Sequence, residues 1–348
     1  MLKQSKIIYS GLDSLENELR KEEWHGARYS ILVDENTSQD CLPVLVGNVE
    51  ELQEAELIEV PTGEECKTLE VAAQVWQTLL EGGADRDTVL VGLGGGAVCD
   101  LCGFVSAGYK RGIRHILVPT TLLAMTDAAI GGKTAIDFGG VKNSIGHFYP
   151  TALTIIDTDF LETLPTIEVA NGLMEMVKTA AVCDPELYSQ ITNTRGRMEI
   201  SRRQVTAVVR LKARVVKADP YDHSIRKILN FGHTFGHAIE MSRKVPHGLA
   251  VGIGMKAAMY HSTKKTGLAA EVYNTYSKWL DSIFSTIGIH FSDLSLRDIE
   301  QMLPLMHQDK KNTADRLRCV LLQELGAPVI DVEVSDNEVR DAMLKVTR

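Results

Sequence analysis

Residues 88–100 read TVLVGLGGGAVCD, an apolar run that ends in glycines and passes at once into a helical pattern. An unbroken β-branched run signals a strand covered on both faces. Residues without side chains then let the chain turn tightly and aim the first N–H groups of the next helix at the turn. Few folds other than a parallel sheet flanked by helices accommodate that sequence of events. The surroundings agree. Residues 29–34 read as a strand ending in an acid, 69–80 have helical spacing, a helix is expected from about 97 to 109, and 115–118 and 153–156 read as further strands. Strand–helix alternation of this kind predicts an α/β fold with a doubly wound parallel sheet.

From about Asp159 the pattern changes. Helical periodicity dominates at 167–183, 204–218, 234–243, 252–264 and 272–285, and strand character returns only at 317–322. The expectation is two domains, 1–158 α/β and nucleotide-binding, 159–348 mostly α-helical and holding metal and substrate; 348 residues suit two cores better than one. A net charge of −9 argues against nucleic acid or an anionic membrane as the main partner. No apolar run approaches the roughly 18 residues a membrane span needs, and the N-terminal stretch MLKQSKIIYSGLDSLENELRK lacks an apolar core for secretion, so a cytoplasmic setting is expected. The six cysteines are scattered. Cys99 and Cys102 have the spacing of a redox or zinc pair, but they fall where a helix packs on a sheet and read as buried thiols.

The glycine turn Gly92–Gly96 suits close approach of a pyrophosphate, though no acid follows at the usual distance of roughly twenty residues to hold a ribose. Asp34 or Glu64 could do so from elsewhere. A second cluster, PTTLLAMTD (119–127) followed by Gly131, Gly132, Lys133 and then Lys142 and Asn143, offers glycines, lysines and hydroxyls to a phosphate; its alternative is a turn with solvated lysines. Arg111, just past the nucleotide helix, could reach the same anion.

In the second half, Glu175 and Lys178 lie three apart on one helical face, a spacing most often seen in surface ion pairs. His233 and His237 are four apart in NFGHTFGHAIE (230–240), and His247 opens the next helix after Pro246. A carboxylate and three imidazoles can hold one divalent ion and move one proton. The spacing fits two ligands as well as one ligand beside a base. Lys212 and Arg226 are cations suited to a carboxylate or phosphate, and Asp309–Lys310–Lys311–Asn312 adds a basic patch.

Taken together, GGGAVCD, PTTLLAMTD, GGKTAID, VKNSIG, NGLMEMVK, NFGHTFGHAIE, HGLAVGIGM and QDKKN occur in the order and spacing of the 3-dehydroquinate synthase family. The resemblance spans roughly residues 34–326. Single pieces are shared with iron-dependent alcohol and glycerol dehydrogenases; the combination is specific. It implies a Rossmann-like N-terminal domain and a homodimeric cyclase of the shikimate pathway. Such an enzyme converts 3-deoxy-D-arabino-heptulosonate 7-phosphate to 3-dehydroquinate and phosphate, with catalytic NAD and a zinc or cobalt ion. The implied metal ligands are Glu175, His233 and His247, with His237 left for proton transfer. NAD would meet Asp34, Glu64, Lys67, Gly95, Gly96, Asp100, Thr120, Thr121, Asp127 and Lys142. The substrate phosphate would meet Lys133, Asn143, Lys310 and Arg111 of a neighbouring subunit. Its carboxylate would meet Lys212 and Arg226, and its hydroxyls Asp127, Lys178 and Asn230.

Two departures stand out. The family commonly has HGE where this chain has His247–Gly248–Leu249, so a carboxylate able to orient the third ligand is expected to be missing, with metal demand weakened or altered. The stretch Asp222–Arg226 lacks the family's usual glutamate and glycine, which puts the loop's shape in question. The rival readings are another sugar-phosphate cyclase making an inosose or valiolone, an NAD- and metal-dependent alcohol or polyol dehydrogenase, and an inactive binding protein.

Overall fold

A computed structural model describes residues 5–194, 197–291, 294–307 and 316–346. The chain forms two compact units, Met1–Pro165 and Thr166–Arg348.

The first unit runs β1 (Lys6–Ile8), α1 (Leu12–Leu19), β2 (Tyr29–Asp34), α2 (Glu35–Asp40), α3 (Leu42–Asn48), β3 (Glu56–Val60), α4 (Leu69–Glu81), β4 (Val89–Gly94), α5 (Gly96–Gly108), β5 (Arg114–Pro119), β6 (Lys133–Phe138), β7 (Val141–Phe148) and β8 (Leu153–Ile155). Six strands make one parallel sheet in the order β1-β8-β5-β4-β2-β3. Every residue of β2 and β4 is buried, as expected of central strands with helices on both faces. Thr68 caps α4 by accepting from Val71 N, and Val71, Ala72, Val75 and Leu79 bury one stripe of that helix. Cys66, Cys99 and Cys102 lie inside the same core. Cys99 and Cys102 direct their thiols at Gly94 and Leu90 carbonyls, and burial pushes both thiols far above their usual range, so they pack as apolar residues.

Strands β2 and β4 sit side by side although β3 intervenes in the chain, so the strand order reverses between them. In doubly wound sheets the crevice at such a reversal, at the carboxyl ends of the strands, is where ligands bind. Strands β6 and β7 form a separate antiparallel ribbon. The sequence reading saw a turn or cradle at 131–143 and passed over this ribbon, because every residue of β7 is exposed and no alternation marks it.

The second unit comprises α6 (Thr166–Cys183), α7 (Pro185–Thr192), α8 (Arg202–Ala218), α9 (His233–Arg243), α10 (His247–Lys265), α11 (Ala270–Thr286), α12 (Leu296–His307), the hairpin β9 (Arg316–Glu324) and β10 (Ala327–Ser335), and α13 (Asp336–Val346). Two helices are buried nearly all round: α6 from Ala170 to Val182 and α10 from Gly248 to Met259. They form the centre of the unit: α7 and α8 pack on α6, and α9, α11 and α13 on α10, while α12 packs on α9 and α13. No helix among the described residues is long and apolar enough to cross a membrane.

Candidate active site

Helices α6, α9 and α10 bring four titratable side chains of the second unit together. Glu175, in the middle of α6, has a fully buried side chain; its Oε1 lies 3.8 Å from His233 Nε2 and 3.4 Å from His247 Nε2. The ring centre of His237 is 5.0 Å from that of His233 and 5.6 Å from that of His247. One nitrogen from each of the three imidazoles falls within 4.8 Å of the others. Two ligand atoms about 2.0–2.1 Å from one tetrahedral zinc are roughly 3.3 Å apart, so the Glu175–His247 spacing fits one ion between them. The donor set of carboxylate and imidazoles also suits zinc or cobalt.

The charges of Glu175 and His233 fit as well, whereas His247 must give up a proton to bind an ion. Burial alone would push the Glu175 carboxyl up, but the Lys178 ammonium, in direct ionic contact with it, and the two imidazoles hold it well below the usual carboxylate range. Burial, with help from Lys178, pushes His233 well below the ordinary imidazole range. An ionised carboxylate and a neutral imidazole are the states a metal requires. Burial opposes a charge on His247 too, yet its bonds to Glu175 and Glu240 raise it to about 10.

Small residues set the helix spacing here. A Cβ on Gly254 of α10 would lie 2.1 Å from Gly232 O and 2.6 Å from Gly236 N, so α9 and α10 touch backbone to backbone. Gly248 N donates to Asn171 Oδ1 at 2.6 Å, and a Cβ there would lie 2.0 Å from Asn171 O, which fixes the start of α10 on α6.

The cations lie nearby in the fold of this unit. Lys212 is buried on α8, and Arg226 is buried in the short helix Ile225–Asn230, donating from Nη1 to Pro220 O at 2.8 Å. Both elements pack on α6. Asn230 ends that short helix, immediately ahead of α9. The Asp219 carboxylate takes the backbone N–H groups of His223, Ser224 and Arg226 at 3.0, 2.6 and 3.1 Å, which holds the loop that carries Arg226. Asp222 adopts the left-handed conformation at φ 60°, tolerable for an aspartate, so the loop closes without the family's glycine.

In the first unit the glycine turn is formed as read. β4 ends at Gly94, Gly95 precedes α5 with no side-chain cap, and the N–H groups of α5 are left for a ligand. A Cβ on Gly94 would meet Val98 at 2.6 Å, and on Gly95 would meet Thr121 at 3.2 Å. Asp34 ends β2, and Glu64, Lys67, Gly95, Gly96, Thr120 and Thr121 follow the carboxyl ends of β3, β4 or β5. Asp127 sits in the π-helical turn Ala124–Ala128.

Several of these groups are already engaged. Asp34 Oδ1 accepts from Thr37 N at 2.9 Å and caps α2. Buried Lys67 donates to Asp100 Oδ2 at 2.8 Å and to Asn143 Oδ1 at 2.5 Å, tying α5 to the ribbon. Lys142 Nζ is 3.9 Å from Glu64. Lys133 pairs with Phe148 at one end of the ribbon while Asn143 lies toward the other, roughly 17 Å along at about 3.4 Å per residue, so strand pairing does not join them into one cradle. With Oδ1 held by Lys67, Asn143 would meet an anion through Nδ2. Arg111 is exposed after α5 at φ 67°. Lys310 lies outside the described residues, as do Lys311 and Asn312.

The model of the 3-dehydroquinate synthase N-terminal region matches residues 57–171, and that of its C-terminal region matches residues 172–312. A 3-dehydroquinate synthase of Parabacteroides distasonis is 36% identical over 324 residues, covering 90% of this chain and 89% of the relative. The chain belongs to the 3-dehydroquinate synthase family. A second member, from Dehalococcoides mccartyi, is 39% identical over 284 residues, covering 80% of this chain and 78% of the relative. Among solved structures, 2-deoxy-scyllo-inosose synthase complexed with carbaglucose-6-phosphate, NAD+ and Co2+ superposes with a TM-score of 0.86 at 23% identity, over 98% of this chain and 96% of its own. That likeness carries the fold.

Within the family frame, the structure brings Glu175, Lys178, His233, His237 and His247 together. It rules out the surface-pair alternative for Glu175 and Lys178, whose side chains are 0% and 2% exposed. Sequence reasoning passed over Asp219 and Glu240. Asp219 carried no signal beyond its place seven residues before Arg226. Glu240 did carry one, since it follows His233 and His237 at helical spacing.

Proposed function

We propose that the chain catalyses the reaction its family is named for, converting 3-deoxy-D-arabino-heptulosonate 7-phosphate to 3-dehydroquinate and inorganic phosphate. The observation that carries this reading is Glu175 Oε1, buried and facing His247 and His233 at 3.4 and 3.8 Å in the region matched by the family's C-terminal model. Glu175, His233 and His247 would hold zinc or cobalt, and the glycine turn before α5, with Asp34, Glu64, Lys67, Asp100, Thr120, Thr121, Asp127 and Lys142, would hold NAD. When bound, the ion would supply Lewis acidity toward a substrate hydroxyl, and NAD would supply a reversible hydride acceptor.

The chain's own residues do the rest. His237, exposed beside the two imidazole ligands, takes and returns a proton at a ring nitrogen. Lys178 and Asn230 orient hydroxyls. Lys212 and Arg226, buried cations, hold the substrate carboxylate, where low polarity strengthens their attraction. Lys133 would receive the phosphate, joined by Lys310 and by Arg111 of a second copy, while Asn143, at the far end of the ribbon, is left out of this cradle; positive charge there stabilises the departing anion.

A homodimer is part of this reading. Phe138, Val141, Ile145 and Phe148 on the β6–β7 ribbon are 37–56% exposed, which supports a second copy packing on that ribbon. A cytoplasmic setting is supported by six free cysteines.

The test is one assay with the heptulosonate phosphate, NAD+ and zinc, following phosphate and NADH together. Phosphate release without lasting NADH is expected. NADH accumulation without phosphate would overturn the reading in favour of a dehydrogenase.

A further inference from the structure

The carboxylate expected to orient His247 is absent at residue 249, yet His247 is not left without one. Its Nδ1 lies 2.8 Å from Glu240 Oε2. Glu240 belongs to α9, and its side chain is only 10% exposed. Residues 233, 237 and 240 stand at i, i+4 and i+7, so α9 presents His233, His237 and Glu240 along one stripe. That stripe faces the first residue of α10.

Position 249 cannot do the same work. Leu249 is fully buried and follows His247 by two residues on α10. Residues two apart on a helix point to different sides, so a side chain there turns away from the His247 ring. The leucine is therefore a packing residue, and the expected weakening of metal demand has no geometric basis at this position.

We propose that Glu240 is the positioning residue for the metal site, holding His247 by its Nδ1–H so that Nε2 is presented toward Glu175. Three features of the geometry support it. Accepting from Nδ1 fixes which nitrogen keeps the hydrogen and leaves the other for the ion. The backbone next to the ring is held too, since Gly248 N donates to Asn171 Oδ1. The acceptor is itself nearly buried, so water does not compete strongly for it. Glu240 also ties α9 to α10, and so relates His233 to His247.

This inference rests on the proposed metal site of Glu175, His233 and His247, and the experiment separates the two. Cobalt(II) is titrated into metal-free protein against a chromophoric chelator, and the visible spectrum of the cobalt protein is recorded for the wild type and for Glu240→Gln, Glu240→Leu and Leu249→Glu. Failure of the wild type to bind cobalt would overturn the metal site and this inference together. With binding established, Glu240→Leu is expected to weaken it about 10–100-fold and to alter the cobalt spectrum. Glu240→Gln keeps an oxygen acceptor and nearly the same shape, and is expected to recover most of the spectrum and part of the affinity. Leu249→Glu is expected to leave both nearly as in the wild type. Circular dichroism of the metal-free variants checks whether they are folded, and Glu240→Gln keeps the test valid if Glu240→Leu is not. Wild-type cobalt affinity and spectrum in folded Glu240→Leu would overturn the assignment. So would a tenfold or greater tightening by Leu249→Glu.

Discussion

Gly254→Ala tests whether the backbone contact between α9 and α10 sets the metal geometry. The added Cβ would sit 2.1 Å from Gly232 O, where ordinary contact begins at 3.4 Å, so the helices must part by roughly 1.3 Å. Both opposing groups are backbone, so no rotamer change can relieve the contact. His233 opens α9 and His247 opens α10. Parting these helices therefore moves the two imidazoles relative to each other. Metal sites tolerate about 0.2 Å in ligand distance, and a displacement near 1 Å at a reacting centre can lower turnover about 100-fold. Overpacking of this kind costs about 1–3 kcal/mol, which a domain of ordinary stability survives. The expected result is a folded protein, slightly less stable in urea, with metal affinity and turnover reduced at least tenfold. Gly47→Ala is the control: it lies in α3 with nothing within 4 Å of the added carbon and should leave both properties unchanged. A folded Gly254→Ala protein with wild-type metal affinity and turnover would refute the argument.

His115 gives a pH-dependent prediction. It is 1% exposed in β5 with neither ring nitrogen hydrogen-bonded among the described residues, and burial lowers it to about 4 from a usual 6.5. The unfolded chain therefore binds the extra proton first as pH falls. The stabilisation from keeping this ring neutral is complete above pH 6.5 and is lost between there and about 4, at most about 3 kcal/mol. His115→Phe should flatten that part of the stability curve in urea titrations, and an unchanged slope would count against it. Lys178→Met should destabilise the metal-free protein by about 3–5 kcal/mol, because it strands the fully buried Glu175 carboxylate; added zinc should restore part of the loss. Equal stability of variant and wild type in chelator would show that the pair is not held as described.

Much of the first unit was legible locally. Residues 29–34 were read as the strand that β2 is, and the glycine turn was expected where β4 meets α5, because continuous apolar runs and glycine turns are short-range signals. The helices α6, α8, α9 and α11 likewise followed from their periodicity. The β6–β7 ribbon was not legible. Both faces of β7 are exposed, so the alternation that betrays a half-buried strand is absent. Periodicity marks α10 only from residue 252, because a helix buried on all sides shows no polar face, but Pro246 marks its start at His247, where it does begin.

The sequence by itself determined which chemistry was at hand: a carboxylate and three imidazoles at helical spacing, and a glycine turn after a buried strand. Their order and spacing also carried the family. Only the tertiary structure decided how those groups are used. Glu175 and Lys178 look like a surface pair by spacing and are buried because α6 is covered on every side. The missing carboxylate at 249 looked like a loss, and Glu240 supplies one to His247 from another helix. The reason is physical. Spacing along a helix fixes which side chains share a face, but which face meets which partner depends on how closely helices pack, and here that depends on glycines such as Gly254 and Gly248 that let backbones touch.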